Sequence, residues 1–153
     1  MEIQNSPKKK YFPPMHTAEH ILNRTMVNMF GCERSENCHI ERKKSKCDFV
    51  LNEKPTDLQI AQIEAKVNEI IQKNLPVTEK LITYSEASKK YKLRVAEDEN
   101  PVIRIISIGN YDDCPCIGEH VSNTSEIGTF KLLTNTFENN IFRLRFKVIS
   151  PEN

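Results

Sequence analysis

The 153-residue sequence contains no tryptophan, only four glycines and five cysteines, and a net charge of only +1. An odd and sparse set of cysteines does not form a disulfide framework, so a small secreted scaffold is excluded. No apolar run approaches the roughly 18 residues of a membrane span. The N-terminal stretch MEIQNSPKKKYFPP also lacks the apolar middle of a signal peptide. We therefore expect a cytoplasmic protein with neither a membrane partner nor a nucleotide cofactor.

Length and patterning predict a basic tail over residues 1–14 and one α+β domain over residues 15–150. Apolar residues recur at helical steps from His16 to Phe30, and again after a T-x-x-Q capping box at Thr56. The predicted strands span 38–42, 47–51, 77–84, 102–108, 128–133 and 141–149. Residues 85–91 are expected to form a short helix, and the segment after residue 108 a loop. This pattern favours a largely antiparallel sheet packed against two main helices.

Two pairs of potential metal ligands lie about a hundred residues apart in the chain. In HTAEH, His16 and His20 would lie one turn apart on the same helix face. In CIGEH, Cys116 and His120 have the same four-residue spacing. Either pair alone is often a coincidence, but together they form a His/His/Cys/His set of the type that zinc prefers. The sequence therefore predicts one zinc ion per chain.

HTAEH also matches H-x-x-E-H, the motif of inverted zinc metalloproteases. In that interpretation Glu19 is the general base, and a more distant glutamate, for which Glu97 is the candidate, is the third ligand. The interpretation leaves CPCIGEH without a role, so a protease is the less favoured alternative.

The two motifs together resemble a known family. HTAEHIL near one end and CIGEHVSNTSEIGTFKL near the other are similar to hallmarks of the editing domain shared by alanyl- and threonyl-tRNA synthetases. The similarity is greatest to the short, free-standing alanyl-tRNA editing proteins, and it covers about residues 15–148. Two positions depart from the family pattern: Glu119 stands where threonine is usual, and Ser125 where glycine is usual.

The resemblance implies a zinc-dependent aminoacyl-tRNA hydrolase that proofreads in trans. The expected substrate is mischarged tRNA(Ala) that carries serine, with glycine as a second candidate. The residues that correspond to the family's zinc ligands are His16, His20, Cys116 and His120. The reactive group would be metal-bound water, since zinc lowers the pKa of water to about 7, and no further side chain is assigned to catalysis. Four protein ligands would close a tetrahedron. Three alternatives are open: His120 is a ligand that can yield, the metal expands to five-coordination, or His120 lies behind the ligands. A non-catalytic, zinc-containing tRNA-binding protein is the alternative.

Substrate contacts are predicted after the second motif and in a basic turn. Thr124 is expected to contact the serine hydroxyl, with capping of a turn as the alternative, and Gly118 to allow close backbone approach. Four basic residues near the turn between the first two strands are expected to contact tRNA phosphates, with a solvated turn as the alternative: Arg42, Lys43, Lys44 and Lys46. Such contacts weaken as salt rises. The sequence carries no signal for an oligomeric state.

Overall fold

The structure of the protein, a computed structural model, describes residues 12–151, and this range contains three α-helices and seven β-strands. The helices are α1 (Pro13–Phe30), α2 (Asp57–Ile71) and α3 (Tyr84–Ser88). The strands are β1 (Asn37–His39), β2 (Ser45–Val50), β3 (Val77–Thr83), β4 (Val102–Ile108), β5 (Asp112–Pro115), β6 (Thr129–Glu138) and β7 (Ile141–Ile149). A short 3-10 helix, Thr124–Glu126, precedes β6. The lysines of the predicted basic tail, Lys8 to Lys10, lie outside the described residues.

Helix α1 begins at Pro13 rather than after the two prolines. Proline is tolerated in the first turn of a helix because its missing N–H would have no intrahelical acceptor there. The helix ends before Gly31, which has a φ of 68° and donates its N–H to the Val27 carbonyl. That left-handed cap is the conformation that glycine adopts most readily. Along residues 12–151 no helix is both long enough and apolar enough to cross a bilayer.

Helix α2 begins with the capping box that its sequence predicts. The Thr56 hydroxyl accepts the Gln59 N–H at 3.1 Å, and the Gln59 side chain accepts the Thr56 N–H at 2.9 Å. The helix also docks on β6, where the Asn68 side-chain amide exchanges hydrogen bonds with the Phe130 backbone at 2.8 and 2.9 Å. Side-chain hydrogen bonds therefore fix both the start of α2 and its contact with β6.

The strands form two antiparallel sheets rather than one. The four-stranded sheet, here called the main sheet, has the order β1-β2-β7-β6, and the three-stranded sheet, the small sheet, has the order β3-β4-β5. The α+β class, the antiparallel pairing and the two main helices are confirmed. Alternation along β7 places Phe142, Leu144 and Phe146 in one core with the buried faces of α1 and α2. Ile103 and Ile105 of the small sheet pack in a second cluster against α3.

The segment after β4 is a strand and not the expected loop. Residues Asp112–Pro115 pair with Ile105–Ile108 of β4, after a turn in which Gly109 has a φ of 50°. The sequence DDCP is short and polar and ends in proline, so it lacks the alternation that marks a half-buried strand. Pairing with β4 directs the chain after Pro115 towards α1, and this carries the CIGEH motif to its position.

The outward face of the main sheet carries basic residues in opposed pairs. Lys46 of β2 lies opposite Arg145 of β7, and Lys147 of β7 lies opposite Lys131 of β6. Within residues 12–151, no carboxylate forms a salt bridge with any of these four cations. Residues directly opposite on neighbouring strands share one face of the sheet. These two pairs therefore form a positive patch, next to the Asp48–Arg143 ion pair on the same face.

Candidate metal centre

The four predicted ligands come together where α1 meets the segment that follows β5. The ligand atoms of His16, His20, Cys116 and His120 all lie within 4.8 Å of one another. Two histidines project from successive turns of α1 and are 5% and 3% exposed, whereas Cys116 and His120 are half-buried. A cluster of imidazole and thiol groups at these separations could hold a metal ion.

Distances between the ligand atoms provide a test of fit. Cys116 Sγ lies 3.4 Å from His16 Nε2 and 3.5 Å from His120 Nε2. In a tetrahedral zinc site, sulfur and nitrogen ligands are about 3.6 Å apart, given their usual bond lengths to the ion. The three imidazole rings are also in mutual contact, with centroids 4.2 to 5.1 Å apart. The donor set therefore fits zinc in both type and spacing.

The pKa shifts of two of the four groups favour the protonation state that metal binding needs. Burial alone would raise the pKa of the Cys116 thiol, but hydrogen bonds from His120, His16 and His20 lower it to about 2. Burial lowers the pKa of His120 to about 4; the contact with Cys116 opposes this shift, and the charges of His20 and His16 add to it. Thiolate and neutral imidazole are the forms that coordinate metals. These pKa shifts favour one anionic ligand and one neutral histidine.

Asp112 of β5 lies behind His20. Its Oδ2 is 3.7 Å from His20 Nδ1, which is too long for a hydrogen bond, and this buried nitrogen has no hydrogen-bond partner in the part of the chain that the structure describes. Burial alone would lower the pKa of His20, but Glu19 and then Asp112 hold it well above its usual value. A carboxylate behind a histidine is a common means of orienting a metal-binding imidazole.

The same carboxylate is the centre of a buried ion-pair cluster that sequence analysis missed. Asp112 is 3% exposed and accepts hydrogen bonds from Arg24 Nε at 3.0 Å and from Arg34 Nη1 and Nη2 at 2.7 and 3.2 Å. Burial alone would raise the pKa of Asp112, but His20 and Arg34 hold it well below its usual value. These contacts join α1, the loop after it and β5 directly beneath the candidate ligands.

Thr17, between the two histidines of α1, positions the second motif. Its Oγ1 lies 2.9 Å from His120 Nδ1 and accepts the Val121 N–H at 3.2 Å. On the other side of the motif, His16 Nδ1 lies 3.1 Å from the Glu119 carbonyl oxygen. In both His16 and His120, Nδ1 contacts the surrounding protein and Nε2 faces Cys116 Sγ. Thr17 lies within the HTAEHIL motif, but sequence analysis assigned it no role, and the Glu119 carbonyl carries no sequence signal.

Arg104 of β4 fixes the backbone of the second motif. Its Nη1 donates to the carbonyls of Cys116 and Gly118 at 2.8 and 2.9 Å, while its Nε donates to Glu79 at 2.7 Å. One guanidinium thus holds both carbonyls in place around a candidate ligand. Sequence analysis assigned Arg104 only to the predicted strand 102–108.

The hydroxyl of Thr124 makes the contacts of a capping residue. Oγ1 donates to the Ile71 carbonyl and accepts the Leu75 N–H, both at 2.9 Å, and the residue is 0% exposed. These contacts hold the end of α2 against the 3-10 helix, as the capping alternative describes. The Gly118 backbone is buried, and its carbonyl is bound by Arg104. Substrate contact by Thr124 or Gly118 stays a prediction.

The residues predicted to contact tRNA lie on the β1–β2 hairpin. Arg42, Lys43 and Lys44 are exposed between the strands, and Lys46 is half-buried in β2. The Arg42 guanidinium lies 4.2 Å from the centre of the Phe12 ring, a cation–π contact that holds the turn near the start of α1.

Glu19 lies beside the cluster, with its Oε1 3.8 Å from His16 Nε2 and 3.9 Å from His20 Nε2, whereas Cys114 and Glu97 belong to no group of potential ligands in residues 12–151. Cys114 Sγ points to the Pro115 carbonyl at 3.4 Å, and burial raises its pKa. Glu97 is exposed in a loop and belongs to neither cluster of potential ligands in residues 12–151. The metalloprotease alternative therefore lacks its third ligand, whereas Cys116 and His120 stand beside the histidines of α1.

Comparison with known proteins adds an independent observation. Residues 103–145 match the family described as the threonyl and alanyl tRNA synthetase second additional domain. An alanine–tRNA ligase from Petrotoga mobilis is 36% identical over 128 residues, which are 82% of this chain and 15% of that protein. One from Fervidobacterium nodosum is 31% identical over 131 residues, 84% of this chain and 15% of that protein. A third, from Methanocella arvoryzae, is 29% identical over 146 residues, 92% of this chain and 17% of that protein. The chain thus spans about 15% of the length of the curated relatives it matches.

Proposed function

Because the chain belongs to the family that carries the second additional domain of threonyl and alanyl tRNA synthetases, we propose that it is an editing hydrolase for mischarged tRNA. The expected substrate is serine esterified to tRNA(Ala), and the expected location is the cytoplasm, where translation supplies aminoacyl-tRNA. The observation that carries the proposal is the four-residue cluster, half of which lies inside the matched segment.

We assign four residues to hold one zinc ion: His16, His20, Cys116 and His120. When bound, zinc would supply Lewis acidity for ester hydrolysis, by activating water or by polarising the carbonyl. The chain's own residues keep the ligands in place before the metal arrives. Thr17 contacts the far nitrogen of His120, and Arg104 binds the carbonyls on either side of Ile117. Such preorganisation is what a catalytic centre needs from its supporting residues.

His120 is our candidate for the ligand that yields to substrate. A catalytic zinc usually has three protein ligands and one open position. His16 and His20 are almost fully buried on a rigid helix, whereas His120 is half-buried in a segment without regular secondary structure. Movement of His120 therefore disturbs less of the core than movement of either helical histidine.

A non-catalytic tRNA-binding role is the second candidate. It is favoured by Glu119 and Ser125, which replace the threonine and the glycine that are usual in the motif. Glu119 is exposed beside His120, so an anionic side chain lies next to the cluster. An anion there could weaken the approach of the tRNA 3′ end, because like charges repel.

The deciding experiment is a deacylation assay on Ser-tRNA(Ala), Ala-tRNA(Ala) and Thr-tRNA(Thr), with protein of measured zinc content. We expect serine to be released, the alanyl ester to be spared and about one zinc to be bound per chain. A site that hydrogen-bonds the serine hydroxyl rejects alanine because its polar groups are then left unpaired. Survival of all three esters with zinc bound would contradict hydrolysis and leave the non-catalytic role.

The basic hairpin provides a separate prediction about tRNA binding. Joint replacement of Arg42, Lys43 and Lys44 by alanine should weaken the binding of uncharged tRNA about tenfold or more. It should also reduce the slope of log affinity against log salt by about 3, one for each lost phosphate contact. The measurement is fluorescence anisotropy with labelled tRNA over a range of salt concentrations.

The matched control removes the same charge elsewhere. Lys54, Lys80 and Lys89 are exposed and lie outside the hairpin, and their joint replacement by alanine should leave the salt slope nearly unchanged. If the two triple variants lose equal tRNA affinity and equal salt slope, only the total charge of the protein matters for binding. The hairpin would then have no special role.

A further inference from the structure

Two cysteines outside the metal cluster face each other across β1 and β2. Cys38 is directly opposite Cys47 in the antiparallel pair, and their Sγ atoms are 2.8 Å apart. Opposed residues in such a pair have Cα atoms about 4.5–5.5 Å apart. Disulfides span Cα separations of about 4.4–6.8 Å. A bond between the two sulfurs therefore needs little movement of either strand.

The two thiols differ in accessibility. Cys47 is 0% exposed in the main core, whereas Cys38 is half-buried on β1, the edge strand of the main sheet. Burial and the neighbouring Cys38 raise the pKa of Cys47 well above its usual value. A soluble oxidant would therefore meet Cys38 first, and Cys47 would act second.

A metal ion is the competing explanation for this pair. The Glu19 carboxylate and the two thiols form a second group whose ligand atoms all lie within 4.8 Å. However, two sulfur ligands of one tetrahedral zinc are about 3.8 Å apart, and the sulfurs here are 2.8 Å apart. The geometry fits a covalent link better than shared coordination.

We propose that Cys38 and Cys47 are a redox modification site that forms a reversible disulfide. With a small disulfide such as glutathione disulfide as oxidant, the Cys38 thiolate attacks one sulfur and releases one glutathione thiolate. The deprotonated Cys47 then attacks Cys38 sulfur and displaces the second glutathione thiolate. The two protons pass from the cysteines to the two released thiolates. In sum, two cysteine thiols and one glutathione disulfide become one protein disulfide and two glutathione molecules.

The bond would act on the hairpin that carries the basic turn. It would link an edge strand of three residues to β2 and close a short loop that contains Arg42 and Lys44. Closing a loop of about ten residues restricts the unfolded chain, and we expect the thermal unfolding midpoint to rise by about 5 °C. In a reducing compartment such bonds are transient and report redox state. The inference does not depend on the hydrolase proposal.

The test uses the full chain loaded with zinc, incubated in glutathione buffers of defined redox ratio, alkylated and analysed by mass spectrometry. We expect loss of two hydrogens, a peptide that links Cys38 to Cys47, and reversal by reduced glutathione. Cys38→Ser should abolish both the link and the rise in the unfolding midpoint, and Cys32→Ser, which changes a half-buried thiol elsewhere, should abolish neither.

Three results would overturn the proposal. One is the absence of a linked peptide in the wild-type chain even under strongly oxidising buffer. Another is a link that uses Cys32 or Cys114 instead. The third is a second zinc per chain that is lost in Cys38→Ser, which would identify the metal site with Glu19. Mapping of the linked peptides uses the wild-type chain. It therefore distinguishes these results without the variant Cys47→Ser, which changes a residue of the core.

Discussion

Replacing Cys116 with alanine is expected to abolish deacylation of Ser-tRNA(Ala) and to lower the zinc content of the protein. Cys116 Sγ contacts the ring nitrogens of both His16 and His120, and it is the one thiolate in the cluster. Changes behind a metal ligand typically cost about 10–100-fold in affinity or activity. Loss of the ligand itself should therefore lower the rate by more than about 100-fold. Single-turnover deacylation and metal analysis of the same preparation measure both effects.

Cys114 provides the matched control for this substitution. It lies on the same segment, two residues earlier, and its thiol is outside the cluster. Cys114→Ala should keep activity within about threefold, which corresponds to less than about 1 kcal/mol. Glu19→Gln should also keep much of the activity, because the proposed hydrolase uses metal-bound water and assigns no catalytic role to Glu19. Activity that is lost with Glu19→Gln and kept with Cys116→Ala would overturn the site assignment.

Replacing Asp112 with alanine is expected to lower the free energy of unfolding by about 3 kcal/mol. Removing one partner of a buried ion pair typically costs about 3–5 kcal/mol, since the remaining charge is left uncompensated. The lower end applies here because the side chains of Arg24 and Arg34 are 30% and 24% exposed and can regain some water. Urea denaturation of the metal-free protein measures the change. Zinc affinity should fall as well, because Asp112 faces His20.

The neighbouring aspartate separates this effect from a general loss of charge. Asp113 is 40% exposed in its side chain, and it binds the Ser107 hydroxyl at 2.7 Å and Lys90 at 3.5 Å. Asp113→Ala should cost less than about 1 kcal/mol, as exposed ion pairs usually do. If the two alanine variants are equally stable, the buried cluster does not hold β5 to α1.

Local sequence signals predicted those parts of the fold that depend on local interactions. The capping box at Thr56 and the strict alternation over 141–149 each involve residues a few positions apart, and both elements are present. The strand β5 was missed because its pairing with β4, and not its own pattern, makes it a strand. For the same reason the division of seven strands into two sheets could not be derived from any one segment.

In the candidate site, too, short motifs predicted some residues, and contacts between distant parts of the chain were not predicted. Each ligand pair was visible because its spacing is local, and the family resemblance joined the two pairs. The supporting contacts link positions far apart, such as Arg24 with Asp112 and Thr17 with His120. Sequence analysis assigned no role to Asp112, Thr17 or Arg104, although Thr17 lies within HTAEHIL, so their contacts needed the structure.

The opposed cations on the main sheet should make its stability depend on bound anions and on salt. Like charges directly opposite on neighbouring strands are destabilising, and here Lys46 faces Arg145 while Lys131 faces Lys147. A bound polyanion would relieve this repulsion, and ligands that bind only the native state raise its stability. Dissolved salt would relieve it too, but by screening. We therefore expect the main sheet to be most stable when an anion covers these opposed cations.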